Sequence, residues 1–165
     1  MPILKEGELD IITHSAEQTA RLGTRLGTLL LPGDVICLSG DMGAGKTVFS
    51  AGLGRGWGAT TPMSSPTFNL VHQHARAKDD VLLYHLDCYR LKTDEDVESI
   101  GLEEILGPRS CVVFEWPEQI EPWLPPEHLW INLGIMEALR RNLVFKANGK
   151  RYEHLLNEFR GITYG

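Results

Sequence analysis

Apolar and polar positions along this chain switch between two periods, and the switches outline its elements. Leu9, Ile11 and Ile12 lie in a short apolar run that predicts a strand at residues 9–13. Helical spacing follows, with Ala16, Thr19, Ala20, Leu22, Gly23, Leu26, Leu29 and Leu30 recurring at intervals of three and four. Ser15 stands at the N-cap position with Gln18 as its capping-box partner, and Pro32-Gly33 ends the helix. The four apolar residues Val35-Ile36-Cys37-Leu38, bounded by turn-formers on both sides, predict a buried strand. A helix opens at Lys46 and ends in a glycine-rich exit at residues 52–58. Further strands are expected at residues 71–74, 81–87, 111–115, 129–134 and 141–147, with a turn at Asn148-Gly149 and a terminal helix over 152–160. The acidic stretch 94–106 reads as two short helices broken at Gly101, either a solvated face or a docking surface for a basic partner.

Composition narrows the class. With 165 residues, 42% of them hydrophobic, the chain fits one domain with a sizeable core, and no repeat or second domain is visible, so residues 1–165 are read as a single unit. A net charge of −6 does not suggest a free-standing nucleic-acid binder. Cys37, Cys88 and Cys111 lack metal-ligand spacing, and their odd number suits reduced thiols in a cytoplasmic protein. The first residues lack a signal-peptide layout, and no apolar run is long enough to span a membrane.

The chemistry concentrates at Gly40-Asp41-Met42-Gly43-Ala44-Gly45-Lys46-Thr47, which fits G-x-x-x-x-G-K-[ST] between a predicted strand and a predicted helix. That context gives a phosphate-binding loop. Backbone N–H groups and the helix N-terminus favour an anion, Lys46 reaches the β- and γ-phosphates, and the Thr47 hydroxyl ligates Mg²⁺. The expected fold is therefore α/β: a P-loop NTPase with a largely parallel central sheet, antiparallel edge strands and helices on both faces. Two strands end in carboxylates, Asp87 and Glu115. Glu115 after an apolar run is the Walker B pattern, holding Mg²⁺ or polarising water. Asp87 sits where α/β sheets place ligands and could hold Mg²⁺ through water, orient the attacking water, or pair with Arg90. Ser65 and Thr67 either sense the γ-phosphate or form a Ser-Pro turn into a strand. His72 and His74 share one face, as a metal pair or as part of a solvent-facing strand. Trp116 stacks on a ligand, covers a partner surface or fills the core; Glu118 is a second carboxylate. Thr13 or Ser15 could touch a nucleotide base, and Arg140 and Arg141 could reach nucleotide or RNA.

In this order the pieces resemble the TsaE (YjeE) family of bacterial ATPases. The matching residues are those at 40–47, Ser65-Pro66-Thr67-Phe68, His85-Leu86-Asp87-Cys88-Tyr89-Arg90 and Val113-Phe114-Glu115-Trp116-Pro117. The family's usual leucine in the phosphate loop is Met42 here. The resemblance implies ATP binding and Mg²⁺-dependent hydrolysis, slow without partners, in making threonylcarbamoyladenosine at position 37 of tRNAs that read ANN codons. It implies the TsaB and TsaD proteins as partners, with tRNA met only through their complex. By resemblance Asp41, Met42, Gly43, Ala44, Gly45, Lys46 and Thr47 bind nucleotide; Thr47 and Glu115 bind Mg²⁺; and Asp87 and Thr67, with Glu115, serve hydrolysis or partner coupling. Arg140 is read as a nucleotide contact from its position, with an exposed surface arginine as the alternative. The rival readings are a small P-loop kinase acting on a small molecule, a GTP-dependent switch, for which Leu91-Lys92-Thr93-Asp94 lacks the first polar residue of [NT]-K-x-D, and a non-enzymatic docking subunit.

Overall fold

The computed structural model describes residues 7–63 and 70–164. Its strands are β1 (Glu8–Thr13), β2 (Val35–Ser39), β3 (Val71–His74), β4 (Leu82–Asp87), β5 (Ser110–Glu115), β6 (His128–Ile135) and β7 (Arg141–Asn148). All join one sheet in the order β1-β7-β6-β2-β5-β4-β3. The four central strands, β6, β2, β5 and β4, run parallel. On one side β7 pairs antiparallel with both β6 and β1, and on the other β3 pairs antiparallel with β4. The expected α/β sheet with a parallel centre is thus present, and the C-terminal ends of β2, β4, β5 and β6 open on one side, where such sheets hold ligands.

Alternation along the buried strands sends side chains to two cores. Ile36, Leu38, Cys111, Val113 and Leu83 face one side, under α1 (Ala16–Leu29), α2 (Lys46–Trp57) and α5 (Lys150–Tyr164). Val35, Cys37, Val112, Phe114 and Leu86 face the other, under α3 (Asp94–Ser99) and α4 (Leu102–Ile105). The break between α3 and α4 falls at Gly101, whose φ of 68° suits glycine. Ser15 caps α1 as expected, accepting from the Gln18 N–H, while the Gln18 side chain accepts from His14 N–H, one residue before the cap.

Two expectations change. α2 does not end at its first glycine but continues through Gly52, Gly54 and Gly56 to Trp57, closing at Gly58 with φ 99°. The reason is α1, whose backbone lies directly against it. A Cβ built on Gly52 would stand 2.1 Å from Ala20 O, and one on Gly56 2.0 Å from Thr24 O; from the other side, one on Gly23 would stand 2.2 Å from Phe49 O. Helix–helix contact therefore outweighs the poor helix propensity of glycine, about 1 kcal/mol per residue. β3 is also less solvent-facing than expected: His74 is buried, and its Nδ1 lies 3.0 Å from Thr61 Oγ1.

Candidate nucleotide-binding site

β2 delivers the chain to Gly40, where the loop begins. Gly40, Gly43 and Gly45 take φ values of 146°, 81° and 106°, which a side chain would resist. A Cβ on Gly40 would also stand 2.4 Å from Leu133 O. Gly45 is the N-cap of α2 and brings no side-chain hydrogen bond, so the first amides of the helix stay free to meet an anion.

Lys46 opens α2 and is buried, at 6% exposure. Its Nζ donates to Gly40 O and, at 3.1 Å, to Asp41 O, and lies 4.0 Å from the centre of the Trp116 ring. Burial pulls its pKa below the usual lysine value, against the opposing pull of Glu115, Glu118, Asp87 and Asp41. Trp116 carries φ 57°, unique among the described non-glycine residues. It donates its N–H to Leu38 O at 3.2 Å and sets its ring 4.9 Å from that of Tyr89.

The parallel register of β4 and β5 places Asp87 beside Glu115. Asp87 is half-buried and its Oδ1 accepts the Tyr89 N–H at 3.0 Å. Glu115 is 3% exposed, and its Oε2 is hydrogen-bonded to Nε2 of the fully buried His85. Gly45, Lys46, Thr47, Asp87, Glu115 and Trp116 line one open cleft of ≈ 300 Å³. A hydroxyl and two carboxylates around a lysine and free helix amides form an all-oxygen donor set, suited to a hard cation bound with phosphate. A larger hollow of ≈ 440 Å³ lies at the other end of β2, but its buried carboxylate, Asp34, is already engaged by Arg151 and the Leu31 N–H.

The family model of TsaE, the threonylcarbamoyl adenosine biosynthesis protein, matches residues 13–143. The chain belongs to the TsaE family. It is 37% identical to the tRNA threonylcarbamoyladenosine biosynthesis protein TsaE of Bacillus subtilis (strain 168), over 88% of this chain and 90% of that one. It is 40% identical to the protein of the same name from Treponema pallidum (strain Nichols), over 80% of this chain and 96% of the relative. The crystal structure of Bacillus subtilis YdiB superposes with a TM-score of 0.75 at 32% identity, covering 94% of this chain and 96% of that one.

In this TsaE-family chain, the residues read from the motif cluster as follows. Lys46, Thr47, Asp87 and Glu115 share the cleft, with Met42, Gly43 and Gly45 on its rim. Met42 is 71% exposed, Asp41 is exposed and Ala44 is buried below the loop. Arg140 is not brought to the loop; its Nη1 lies 3.6 Å from Glu137. The neighbouring Arg141 reaches it instead, donating from Nη2 to Gly43 O at 3.1 Å and from Nη1 to the carbonyls of Glu137, Ala138 and Arg140. On that side a second recess of ≈ 120 Å³ lies between the loop, Ala16, Thr19 and Leu139. Thr13 is turned inward, its Oγ1 2.7 Å from Thr19 Oγ1, and Ser15 caps α1. Glu118 accepts from Ser39 Oγ at 2.9 Å. Arg90 is exposed and forms no ion pair among the described residues, and no cluster of three metal-binding side chains occurs among them. Ser65 and Thr67 lie outside the described residues. No helix of the described residues is long and apolar enough to cross a membrane.

The sequence assigns no site role to His85 and does not signal the Lys46–Trp116 contact. His85 opens the motif at residues 85–90 that the family resemblance rests on, and it precedes Asp87 by two on a strand, so the two share a face.

Proposed function

We propose that this protein binds ATP with Mg²⁺ in the cleft at the head of α2 and hydrolyses it in support of threonylcarbamoyladenosine formation at position 37 of tRNAs reading ANN codons. It acts with the TsaB and TsaD proteins and meets tRNA through their complex. The carrying observation is that Lys46, Thr47, Asp87 and Glu115, from three elements, line one cleft at the end of the parallel strands.

On this reading the loop amides and the N-terminus of α2 receive the phosphates. Lys46 leaves the Gly40 and Asp41 carbonyls to pair with the β- and γ-phosphates. Thr47 and Glu115 hold Mg²⁺, which when bound neutralises charge developing on the phosphate oxygens. Asp87 orients the water that attacks the γ-phosphorus as the bond to the β-phosphate oxygen breaks, giving ADP and phosphate. Arg141 and the recess beside Ala16 and Leu139 lie on the side where the nucleoside extends. The work of the residues is positioning and charge compensation rather than covalent chemistry.

The test is ATP turnover by the purified chain, alone and with TsaB and TsaD. Low turnover alone and a clear rise with the partners supports the reading. Full turnover alone, or ATP consumption that requires a small phosphate acceptor, overturns it in favour of a kinase. Glu115→Ala should reduce Mg²⁺-dependent hydrolysis far more than nucleotide binding; full turnover in that variant removes Glu115 from the site.

A further inference from the structure

We propose that His85 is the positioning residue for Glu115: its Nε2–H fixes one carboxylate oxygen and leaves the other to face the cleft, so setting how tightly the site grips its divalent cation. The inference rests on the reading of Glu115 as a cation ligand.

The register of the sheet is what brings the two together. β4 supplies His85 and Asp87 to the same face, and β5 supplies Glu115 opposite Asp87. Glu115 thus has a like charge beside it and an imidazole beneath it. Each carboxylate has its own donor: Asp87 takes the Tyr89 N–H, and Glu115 takes His85.

Packing alone does not account for a histidine here. His85 is 0% exposed, and its Nδ1 is buried without a hydrogen-bond partner among the described residues. Burying an unpartnered polar atom opposes folding, and Leu83, two residues earlier on the same face, shows that an aliphatic side chain packs well against this core. What the imidazole supplies and leucine cannot is the Nε2–H to Glu115. A carboxylate held in this way has its rotamer and orientation set before the cation arrives, the arrangement by which outer groups tune metal ligands.

The experiment measures Mn²⁺ binding to the full chain in the presence of ADP by electron paramagnetic resonance, and ADP binding separately in EDTA. His85→Phe keeps the bulk and loses the donor; His85→Gln can return an N–H to the Nε2 position; His85→Asn, whose shorter amide cannot reach Glu115, repeats the comparison should the Phe variant not fold. The expected result is Mn²⁺ affinity weakened about 10–100-fold in His85→Phe and His85→Asn, recovery in His85→Gln, and unchanged ADP binding in EDTA for all three. Mn²⁺ affinity in His85→Phe equal to that of the unaltered chain, failure of His85→Gln to recover, or loss of ADP binding in EDTA would each overturn the proposal. Glu115→Gln separates the two levels of argument. If it weakens Mn²⁺ binding and His85→Phe does not, only the role of His85 falls. If it leaves Mn²⁺ binding intact, the cation assignment of Glu115 falls, and that of His85 with it.

Discussion

Gly52→Ala adds a single methyl group to a helix, a change that ordinarily stabilises one. Here the new Cβ would stand 2.1 Å from Ala20 O and 2.9 Å from the Ala20 carbonyl carbon, where ordinary contact begins at 3.4 Å. Both obstructing atoms are backbone, so no rotamer change relieves the clash and α1 and α2 must part by about 1 Å. Overpacking of this kind costs about 1–3 kcal/mol. The gain in helix propensity returns about 1 kcal/mol, leaving a net loss of up to roughly 2 kcal/mol. For a chain of this length that lowers the melting temperature by up to about 8 °C. Gly161→Ala is the internal control, because Gly161 lies in α5 with no atom of the described residues within 4 Å of its built Cβ. It should raise stability by about 0.5–1 kcal/mol. Thermal and urea unfolding of the two variants beside the unaltered chain give the comparison. A second readout follows from position: Lys46 and Thr47 open α2, so its displacement also moves the phosphate loop and should weaken nucleotide binding. If Gly52→Ala proves as stabilising as Gly161→Ala, the close approach of the helices is not what excludes a side chain there.

Other expectations are checked more briefly. Lys46→Ala should abolish nucleotide binding, measured by titration with a fluorescent ATP analogue. Arg151→Ala leaves the buried Asp34 carboxylate with only the Leu31 N–H and should cost about 3–5 kcal/mol in urea unfolding. Burial pushes the Cys111 thiol from 9.0 up to about 12 and the Tyr152 phenol from 10.0 up to about 12. The folded chain keeps these protons after the unfolded chain has released them, so stability that is complete below pH 9 should fall as the pH rises from 9 towards 12, by about 1.4 kcal/mol per pH unit for each titrating group. Cys111→Ala and Tyr152→Phe should each flatten that slope. Cys37 and Cys88 are likewise buried with raised pKa values, so a thiol reagent should label none of the three cysteines in the native state and all three in urea.

The sequence was most legible where function restricts residue type. The phosphate loop, its strand and its helix start stand out because few other arrangements need that glycine spacing. Asp87 and Glu115 were recognisable as strand-end carboxylates, but their adjacency depends on β4 and β5 being neighbours, which periodicity does not encode. The continuation of α2 through its glycines was hidden because the cause lies in another helix. Gly23 and Gly52 are far apart in sequence, and neither by itself shows that it faces the other helix. The contact of His85 was hidden for a similar reason, since its partner comes 30 residues later on a different strand. Which of Arg140 and Arg141 approaches the loop depends on the geometry of the turn at 136–140, whose carbonyls hold Arg141 and direct its second amino group to Gly43.

The sheet order also bears on synthesis. β2, which carries the phosphate loop, lies between β5 and β6, so both of its neighbours leave the ribosome after the loop does. At ordinary elongation rates, Glu115 follows Thr47 by roughly 3–14 s. During that interval the nascent chain carries the whole glycine-rich sequence with neither the strands that flank β2 nor the carboxylate that faces Lys46. A chain halted before Ser110 would therefore hold the full phosphate-loop motif without Glu115 and without either strand that flanks β2.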